Sequence, residues 1–270
     1  MPGRWRARGR DGTSARLRPR RPLLGLLAVA GPVLLSGSGM VAVPARNQTV
    51  PPSLAAVRSE LAPSLVDTIA FAQPPGEQIL GSGIIVSDTG LVLTDYHVVL
   101  DENFVGVRVG GQGEVYPALV LVRDAADDLA LLQIQGAAPP LRPALLGVGI
   151  RAAVGDPVVA IGNAQGLGRV PVAVAGRLVA LDRPVSYGVG GLTVNLAGVM
   201  EARAAIFVGD SGGALVDARG RVIAMIAAGS GDGPCLAGRS CALSLAYATP
   251  IGQALSMVHL TAPVLDASRP

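Results

Sequence analysis

The chain has 270 residues, of which half are hydrophobic and only 3% are aromatic, and its formal net charge at pH 7 is +3. That length accommodates one domain and a leader. Residues 1–45 hold eight of the 22 basic residues and one of the 19 acids, which leaves the rest of the chain with a net charge of −4. Because the basic charge is confined to the N-terminal segment, the composition argues against a nucleic-acid partner.

The N-terminal segment has the layout of an export signal. An arginine-rich region ends at Arg21, an apolar stretch follows over residues 22–35, and small residues continue to Ala45. This order predicts a secretory signal peptide over residues 1–45. If the apolar stretch extends to Val43, it could instead attach the chain to a membrane as an uncleaved anchor, with the arginines on the cytoplasmic side. Both alternatives predict an extracytoplasmic domain, either secreted or held in the cell envelope.

The remaining sequence has the pattern of an all-β protein. Short runs of Val, Ile and Leu alternate with Gly, Pro and Asp, and no long amphipathic helix is visible between the ends of the chain. We expect a single domain over residues 61–258, preceded by a linker at 46–60 and followed by a tail at 259–270.

Two histidines are present, and one of them lies in a setting that suits a general base. Residues 81–86 and 90–94 predict a β-hairpin that delivers His97 to the end of a strand. His259 lies near the C-terminus, where we expect a short helix with this residue at its surface. A lone histidine beside apolar residues is often a core residue, but the hairpin favours His97 as a proton acceptor.

An acid that could orient this histidine precedes the apolar run 129–134. Asp128 leads directly into that run and is therefore expected to point inward, where an unpaired carboxylate would be costly and must find a donor. Asp124 and Asp127 suit a solvated turn instead.

A glycine-bounded serine supplies the expected nucleophile. The sequence Gly209-Asp210-Ser211-Gly212-Gly213 lies between two apolar runs, so the serine is held on a tight turn. Glycines on both sides allow the backbone to turn sharply and to direct amide N–H groups into one concavity, where an oxyanion could be stabilised. We therefore assign a predicted oxyanion hole to Gly209, Asp210 and Ser211.

The order of these three residues along the chain is informative. His97, Asp128 and Ser211 follow one another with spacings of 31 and 83 residues. This order agrees with the Ser-His-Asp triads of trypsin-like enzymes and differs from the orders in subtilisin and the α/β-hydrolases. The sequence therefore predicts a catalytic triad, whose chemistry requires neither a metal nor an organic cofactor.

The cysteines predict a local covalent link. Cys235 and Cys241 are the two cysteines of the chain, and an oxidising compartment favours a disulfide between them. Two free thiols in a small buried turn are the alternative. No further histidine or cysteine pair could complete a metal site with them.

At this point the chain resembles a known family, the trypsin-like peptidases of the HtrA type, over about residues 60–258. Five blocks in the family's order carry the resemblance: Gly81-Ser82-Gly83-Ile84, Thr94-Asp95-Tyr96-His97-Val98, Asp128-Leu129-Ala130-Leu131-Leu132, Gly155-Asp156-Pro157-Val158-Val159-Ala160-Ile161-Gly162-Asn163, and Gly209-Asp210-Ser211-Gly212-Gly213-Ala214-Leu215 with Gly220-Arg221-Val222-Ile223 after it. The actinobacterial members are the most similar.

The resemblance implies a fold and a cleft. It implies two six-stranded antiparallel β-barrels, the first over about residues 61–140 and the second over about 150–250, with a short C-terminal helix. His97 and Asp128 would lie in the first barrel and Ser211 in the second, on either side of the cleft.

The resemblance also implies a specificity pocket. Its walls would be the segment before Ser211 and the strand about sixteen residues after it; the implied substrate-binding residues are Ala205, Ile226, Ala227, Ala228 and Gly229. A preference for Arg or Lys needs a carboxylate six residues before the serine, and that position is Ala205. We therefore expect small or medium aliphatic residues at P1, since a basic side chain would be desolvated without a partner.

Several departures from the family pattern leave questions open. Asp95-Tyr96 stands where two asparagines are usual, and Arg203 stands where an acid is usual. Whether the oxyanion hole is formed in the resting protein stays open for this reason. Family members often continue into PDZ domains, and we expect none here. Many are trimers built on N-terminal segments, so residues 46–60 could be such a segment or a plain linker.

Together these observations predict an exported serine endopeptidase that cleaves unfolded or extended polypeptides through an acyl-enzyme. An inactive binding module on the same fold and an esterase are the alternatives, because triad chemistry alone does not distinguish amide from ester substrates.

Overall fold

The computed structural model describes residues 53–72, 76–100, 102, 104–136, 138–164, 170–233 and 243–258. The predicted leader and tail, His259 and both cysteines lie outside the described residues. Within the described part of the chain, no helix is long and apolar enough to cross a membrane.

The first barrel contains six strands that close on themselves in the order β1-β2-β3-β6-β5-β4, each antiparallel to its neighbours. Their bounds are β1 Leu65–Ala72, β2 Gly76–Ile85, β3 Leu91–Thr94, β4 Phe104–Val109, β5 Tyr116–Asp124 and β6 Leu129–Ile134. The predicted hairpin is present, since Ile84 pairs with Leu93 and Ile85 with Val92.

The second barrel repeats this arrangement in the order β10-β11-β12-β9-β8-β7. Its strands are β7 Pro157–Gly162, β8 Val172–Val189, β9 Leu192–Arg203, β10 Ala214–Asp217, β11 Val222–Ser230 and β12 Leu245–Pro250. A short helix, α2 (Ile251–Met257), follows the last strand. The predicted all-β fold of two six-stranded antiparallel barrels with a short C-terminal helix is therefore confirmed.

Each barrel has its own apolar interior, and a third cluster joins them. This central cluster takes Leu93 and Leu129 from the first barrel, Ile161 and Met225 from the second, and further side chains from both helices. Burial of apolar surface contributes about 25 cal/mol per Å². Because the chain has few aromatic residues, the buried surface comes mainly from Val, Ile, Leu and Ala side chains.

A helix precedes the first barrel. Helix α1 (Leu54–Leu61) begins after Ser53, whose side chain accepts a hydrogen bond from the backbone N–H of Ala56, the geometry of an N-cap. Val57 and Leu61 are buried in the central cluster. The end of the segment expected as a linker is thus a helix packed against the core.

Strands β8 and β9 extend beyond the second barrel as a two-stranded arm, residues 183–199. β7 pairs with β8 over residues 172–177, and β12 pairs with β9 over 200–202, whereas in the arm β8 and β9 pair with each other. A two-stranded ribbon is only marginally stable alone. The arm is held by an apolar cluster that includes Val194, Leu196 and Ala227 of β11.

Candidate active site

His97 lies in a single 3-10 turn, Tyr96–Val99, that directly follows β3. Val98 and Val99 are buried in the interior of the first barrel and fix this turn. The imidazole is left at the barrel edge, with 11% of its side chain exposed. The hairpin therefore delivers the histidine to a strand end, as expected from the sequence.

Asp128 adopts a left-handed backbone conformation, with φ of 51°, immediately before β6. Aspartate tolerates this conformation better than most residues. In the preceding turn, the Asp124 carboxylate accepts hydrogen bonds from the N–H groups of Ala126 and Asp127. The turn directs the Asp128 side chain, which is fully buried, toward His97.

The contact between His97 and Asp128 has two hydrogen bonds. The ring Nδ1 lies 2.6 Å from Asp128 Oδ2, and the backbone N–H of His97 donates to Oδ1 at 2.8 Å. With both carboxylate oxygens engaged, the ring is oriented so that Nε2 is its outer nitrogen. This arrangement fixes the tautomer that a general base needs.

A third donor reaches Asp128 from the other barrel. The hydroxyl of Tyr187, on the arm, lies 2.5 Å from Asp128 Oδ2. Burial opposes the charge on Asp128, but the hydrogen bonds from His97 and Tyr187 and the charge of His97 together hold the pKa of Asp128 below its ordinary value. Asp128 is therefore an ionised carboxylate at neutral pH.

A second carboxyl group lies beside this pair. Asp95 is fully buried, and neither of its oxygens meets hydrogen-bond geometry with a partner among the described residues. Burial, followed by the charge of Asp128, raises the pKa of Asp95 well above its ordinary value. The nearby N–H of Gly212 lowers it slightly, although that N–H donates to the Ile226 carbonyl at 2.8 Å. Of these two neighbouring carboxyl groups, Asp128 therefore holds a negative charge more readily than Asp95.

The loop that holds Ser211 is a turn closed by a hydrogen bond from Asp210 N–H to the Phe207 carbonyl. Gly209 occupies its third position with φ of +96°, the backbone conformation of a type II turn. Among the described residues, no acceptor receives the backbone N–H of Gly209 or of Ser211. Both amides remain available for another acceptor.

Asp210 holds this loop from beneath with its own side chain. Its carboxylate accepts from the backbone N–H of Phe207 and from that of Ala164, each at 2.8 Å. Burial raises the pKa of Asp210, and the hydrogen bonds from the two amides offset part of this effect. The resulting pKa is about 6. The Asp210 side chain therefore supports the turn from the interior, and the Asp210 backbone N–H closes the same turn.

Ser82 connects the serine loop to the first barrel. Its hydroxyl donates to the Gly209 carbonyl at 2.7 Å and accepts from Asn163 N–H at 2.9 Å. Its backbone N–H donates to the Ser211 carbonyl at 2.8 Å. A Cβ on Gly212 would lie 2.5 Å from Thr94 Oγ1, and Thr94 is three residues before His97. The serine loop is therefore packed against the end of β3, the strand that the histidine turn follows.

The predicted substrate-binding strand has one unpaired edge. Ala228 and Gly229 pair with Tyr247 and Ala246 of β12. On the opposite side, β10 pairs with β11 only as far as Met225, and Ile226 bonds to Gly212 and Gly213. No described strand covers residues 227–229 on that edge, so an extended peptide could pair with it.

The side chains of the five predicted substrate-binding residues point in different directions. Ile226 packs in the interior of the second barrel, and Ala227 packs against the arm, where a β-bulge displaces it. Ala205 packs against a small cluster around Phe207. Only Ala228 and Gly229 are partly exposed along this stretch of β11.

Gly229 lies against apolar side chains. A Cβ at this position would be 2.6 Å from Cδ1 of Ile206 and 2.9 Å from Cδ1 of Leu243. Ile206 and Leu243 also exchange two backbone hydrogen bonds. Leu243 follows the two cysteines in the sequence, and no motif around it indicates that it lies beside Gly229.

The carboxyl pair and the histidine form the one group of potential metal ligands among the described residues, with donor atoms within 4.8 Å of one another. Both oxygens of Asp128 and the Nδ1 of His97 are already engaged in hydrogen bonds. The arrangement therefore favours a hydrogen-bonded cluster over a metal centre. A cavity of about 670 Å³ lined by Leu54, Val154 and Val179 shares no residue with this site.

Comparison with known proteins agrees with this geometry. Residues 81–225 match the family model described as a trypsin-like peptidase domain, a span that includes His97, Asp128 and Ser211. The chain belongs to this family. Its relatives identify it as a member of the HtrA type, as the sequence blocks indicated.

Two relatives and one solved structure are representative. The serine protease PepD of Mycobacterium tuberculosis is 33% identical over an alignment of 240 residues, which covers 83% of this chain and 49% of PepD. The periplasmic serine endoprotease DegP of Salmonella typhimurium is 38% identical over 146 residues, 53% of this chain and 29% of DegP. The HtrA-type protease AlgW with a decapeptide has a TM-score of 0.59 at 27% identity, covering 76% of this chain and 66% of AlgW. The peptidase chain thus spans about half or less of these curated relatives.

Proposed function

We propose that this peptidase-family chain is a serine endopeptidase with Ser211 as its nucleophile, His97 as its general base and acid, and Asp128 as the residue that orients His97. The observation that carries the proposal is the pair of hydrogen bonds between His97 and the ionised Asp128, together with the close packing of the glycine-bounded Ser211 loop against Thr94, three residues before His97.

The chemistry follows from the positions of these groups. A serine hydroxyl is a weak nucleophile at neutral pH, so His97 accepts its proton as Oγ attacks the peptide carbonyl carbon. The imidazolium then donates that proton to the amine that leaves, which produces an acyl-enzyme. Water, deprotonated by His97, hydrolyses the ester in the second half of the reaction. Asp128 stabilises the imidazolium in both halves.

The amides of Gly209 and Ser211, which have no acceptor in the described part of the chain, are suited to the oxyanion. Each backbone N–H would donate to the oxygen of the tetrahedral intermediate, and loss of one such donor costs roughly 3–4 kcal/mol in enzymes where it has been measured. The positive φ of Gly209 supports a loop in which the hole is formed at rest. Asp210 contributes by holding the turn through Phe207 N–H.

Extended polypeptides are the proposed substrates. A peptide strand that pairs with the free edge of Ala227–Gly229 would place its scissile bond beside Ser211, and such pairing requires an unfolded or extended segment. The solved relative AlgW, described with a decapeptide, supports a polypeptide substrate for this fold.

For the P1 side chain, we propose a preference for Val, Ala, Ile or Leu. Ala205 stands at the position that would need a carboxylate for a basic P1 residue, and Ile206 and Leu243 pack beside Gly229. Each methylene buried there is worth about 0.8 kcal/mol. A lysine or arginine would lose hydration without gaining a partner.

We also propose that the protein acts outside the cytoplasm. The apolar segment after Arg21 supports export, and the relative from Salmonella typhimurium is named a periplasmic endoprotease. Western blots of culture supernatant and membrane fractions would test this location and would show whether the leader is retained.

A digest of casein and of a peptide library by the purified full chain, run beside Ser211→Ala, tests the activity. We expect cleavage mainly after aliphatic residues in the wild type and none in the variant. Hydrolysis of esters without hydrolysis of amides would indicate an esterase, and peptide binding without turnover of either would indicate a binding module. Cleavage mainly after Arg or Lys would show that the pocket assignment is wrong.

A further inference from the structure

Asp128 has more hydrogen-bond donors than the histidine alone supplies. Two of its three bonds come from His97, and the third comes from the phenol of Tyr187, 59 residues further along the chain. The aromatic ring of Tyr187 also meets the imidazole edge to face, with ring centroids 6.5 Å apart and an interplanar angle of 81°. One side chain therefore contacts both members of the pair.

The phenol acts as a donor in this contact. Burial, the neighbouring Asp95 and the charge of Asp128 raise the pKa of Tyr187 far above its ordinary value. Its proton is therefore retained over the whole working range of pH. The groups that face Asp128 are this phenol, the imidazole of His97 and the carboxyl of Asp95, whose pKa is raised.

The arm that carries Tyr187 is fixed at both its base and its tip. Tyr187 pairs with Val194, which is fully buried in the arm cluster together with Ala227 of the substrate-binding strand. At the tip, a Cβ on Gly190 would lie 3.0 Å from Cδ2 of Leu100, in the first barrel just after the His97 turn. The second barrel thus reaches across to the first and places a hydroxyl on its carboxylate.

We propose that Tyr187 is a positioning residue of the active site: its hydroxyl orients the Asp128 carboxylate toward His97 and shares its charge, so the arm of the second barrel completes the acid–base pair of the first. Tyr187 acts through Asp128 and does not touch the substrate. This inference rests on the proposed peptidase activity for its kinetic tests, and a spectroscopic test is independent of turnover.

The kinetic test compares Tyr187→Phe with Tyr247→Phe. Both rings belong to the same apolar cluster, but the Tyr247 hydroxyl pairs with Ser230 Oγ at 2.9 Å and does not contact the triad. Since the Asp128 carboxylate then loses one of the contacts that orient it toward His97, we expect Tyr187→Phe to lower kcat roughly tenfold or more with KM nearly unchanged. Tyr247→Phe should retain wild-type kinetics.

The pH profile gives a second readout. The phenol withdraws negative charge from the carboxylate that stabilises the imidazolium, so its removal strengthens that stabilisation. The acidic limb of kcat/KM should therefore move to higher pH in Tyr187→Phe and stay in place in Tyr247→Phe. In an Asp128→Ala background, Tyr187→Phe should cause little further loss, because its partner is absent. An equal loss in both backgrounds would overturn the positioning role.

Proton NMR separates a failure of this inference from a failure of the proposed activity. The proton on His97 Nδ1 reports the bond to Asp128 whether or not the protein hydrolyses peptides. We expect its low-field resonance to move in Tyr187→Phe and to remain unchanged in Tyr247→Phe. If Tyr187→Phe leaves this resonance unchanged, Tyr187 does not position the pair, even if peptide hydrolysis is established. If the resonance moves as expected but no peptide is cleaved by the wild type, only the proposed activity fails.

Discussion

The two barrels contribute to the site in different ways. The first barrel supplies ionisable side chains: His97, Asp128 with a lowered pKa and Asp95 with a raised pKa, packed within a few ångströms of one another. The second supplies mainly backbone, in a turn where the amides of Gly209 and Ser211 have no acceptor among the described residues and whose shape depends on glycines with positive φ. Charge is handled by side chains on one side of the cleft and by peptide dipoles on the other.

This difference indicates how each half should respond to mutation. On the first side, an isosteric change of charge should destroy function and preserve the fold, because the side chains are held by separate hydrogen bonds. On the second side, a single added methyl group should be enough to lower both activity and stability, because the backbone itself is packed tightly against the first barrel.

The largest effect is expected for Asp128→Asn. The amide has a single acceptor oxygen, so it cannot accept from both the ring N–H and the backbone N–H of His97 as the carboxylate does. The corresponding change in trypsin lowers kcat by about 10⁴-fold. We expect a loss of similar size in peptide hydrolysis, with a melting temperature close to that of the wild type. Asp127→Asn is the matched control and should be nearly normal. If Asp127→Asn were the more damaging variant, the acid would be misassigned.

Gly212→Ala tests the backbone half. Its Cβ would lie 2.5 Å from Thr94 Oγ1 and still closer to the Ser82 carbonyl oxygen, and φ is +80°. Overpacking costs about 1–3 kcal/mol and the left-handed conformation about 1–2 kcal/mol more. We expect a lower free energy of unfolding in guanidinium and loss of activity.

Gly220→Ala separates the clash from the backbone conformation. Gly220 has a similar φ of +76°, but its Cβ would meet nothing closer than Glu60 Oε2 at 3.9 Å. This variant should lose only the conformational part, about 1–2 kcal/mol, and should remain active. Equal losses of stability and activity at the two positions would contradict the tight packing of the serine loop.

Ser82→Ala tests the connection between the halves. It removes the hydroxyl that joins the Gly209 carbonyl to Asn163 N–H, and leaves both groups buried without that partner. We expect a loss of about 2 kcal/mol in stability and a decrease in kcat, because the turn beside Ser211 loosens. Ser87→Ala is a control, since the Ser87 hydroxyl bonds within its own turn. Activity equal to the wild type in Ser82→Ala would show that this bond does not support the loop.

Asp95→Asn should have the smallest effect on activity, and its effect on stability should appear as a pH dependence. The pKa of Asp95 is higher in the folded protein than in the unfolded chain, so the unfolded chain releases this proton first. The free energy of unfolding therefore falls as pH rises above about 4, with a slope of up to about 1.4 kcal/mol per pH unit from this group. The contribution of Asp128, whose pKa is lowered, has the opposite sign.

Guanidinium unfolding of both proteins at several pH values measures the difference. Asp67 and Asp210, whose pKa values are raised by burial to about 6, slope in the same direction but are present in both proteins. The stability of Asp95→Asn relative to the wild type should therefore increase from acidic to neutral pH. Parallel curves would show that Asp95 is not a neutral buried acid.

How much the sequence could predict follows the same division. The residues of the expected triad were found because each lies in a local pattern: a hairpin before His97, a buried strand after Asp128 and glycines around Ser211. The two barrels were implied by the family resemblance that these blocks carry. Helix α1 could have been found from Ser53, which begins a run of helix-forming residues and caps it.

Tyr187 could not have been found in this way. It lies on a half-buried strand with no motif around it, and its contact with Asp128 depends on the length of the arm and on its register, in which Tyr187 faces Val194. Of the residues around Tyr187 and Asp128, Asp95 was the one that stood out in the sequence as a departure from the family pattern. Long-range pairing of this kind is set by tertiary packing and leaves no local trace in the sequence.

Fluorophosphonate labelling of the full chain, with the modified residue located by mass spectrometry, tests the central assignment most directly. Such a reagent reacts with a serine only where a neighbouring base and an oxyanion site activate it. The account predicts a stoichiometric adduct on Ser211 in the wild type and in Asp127→Asn, and none in Ser211→Ala or His97→Ala. An unlabelled wild-type chain, or labelling of Ser211 that persists in His97→Ala, would contradict it.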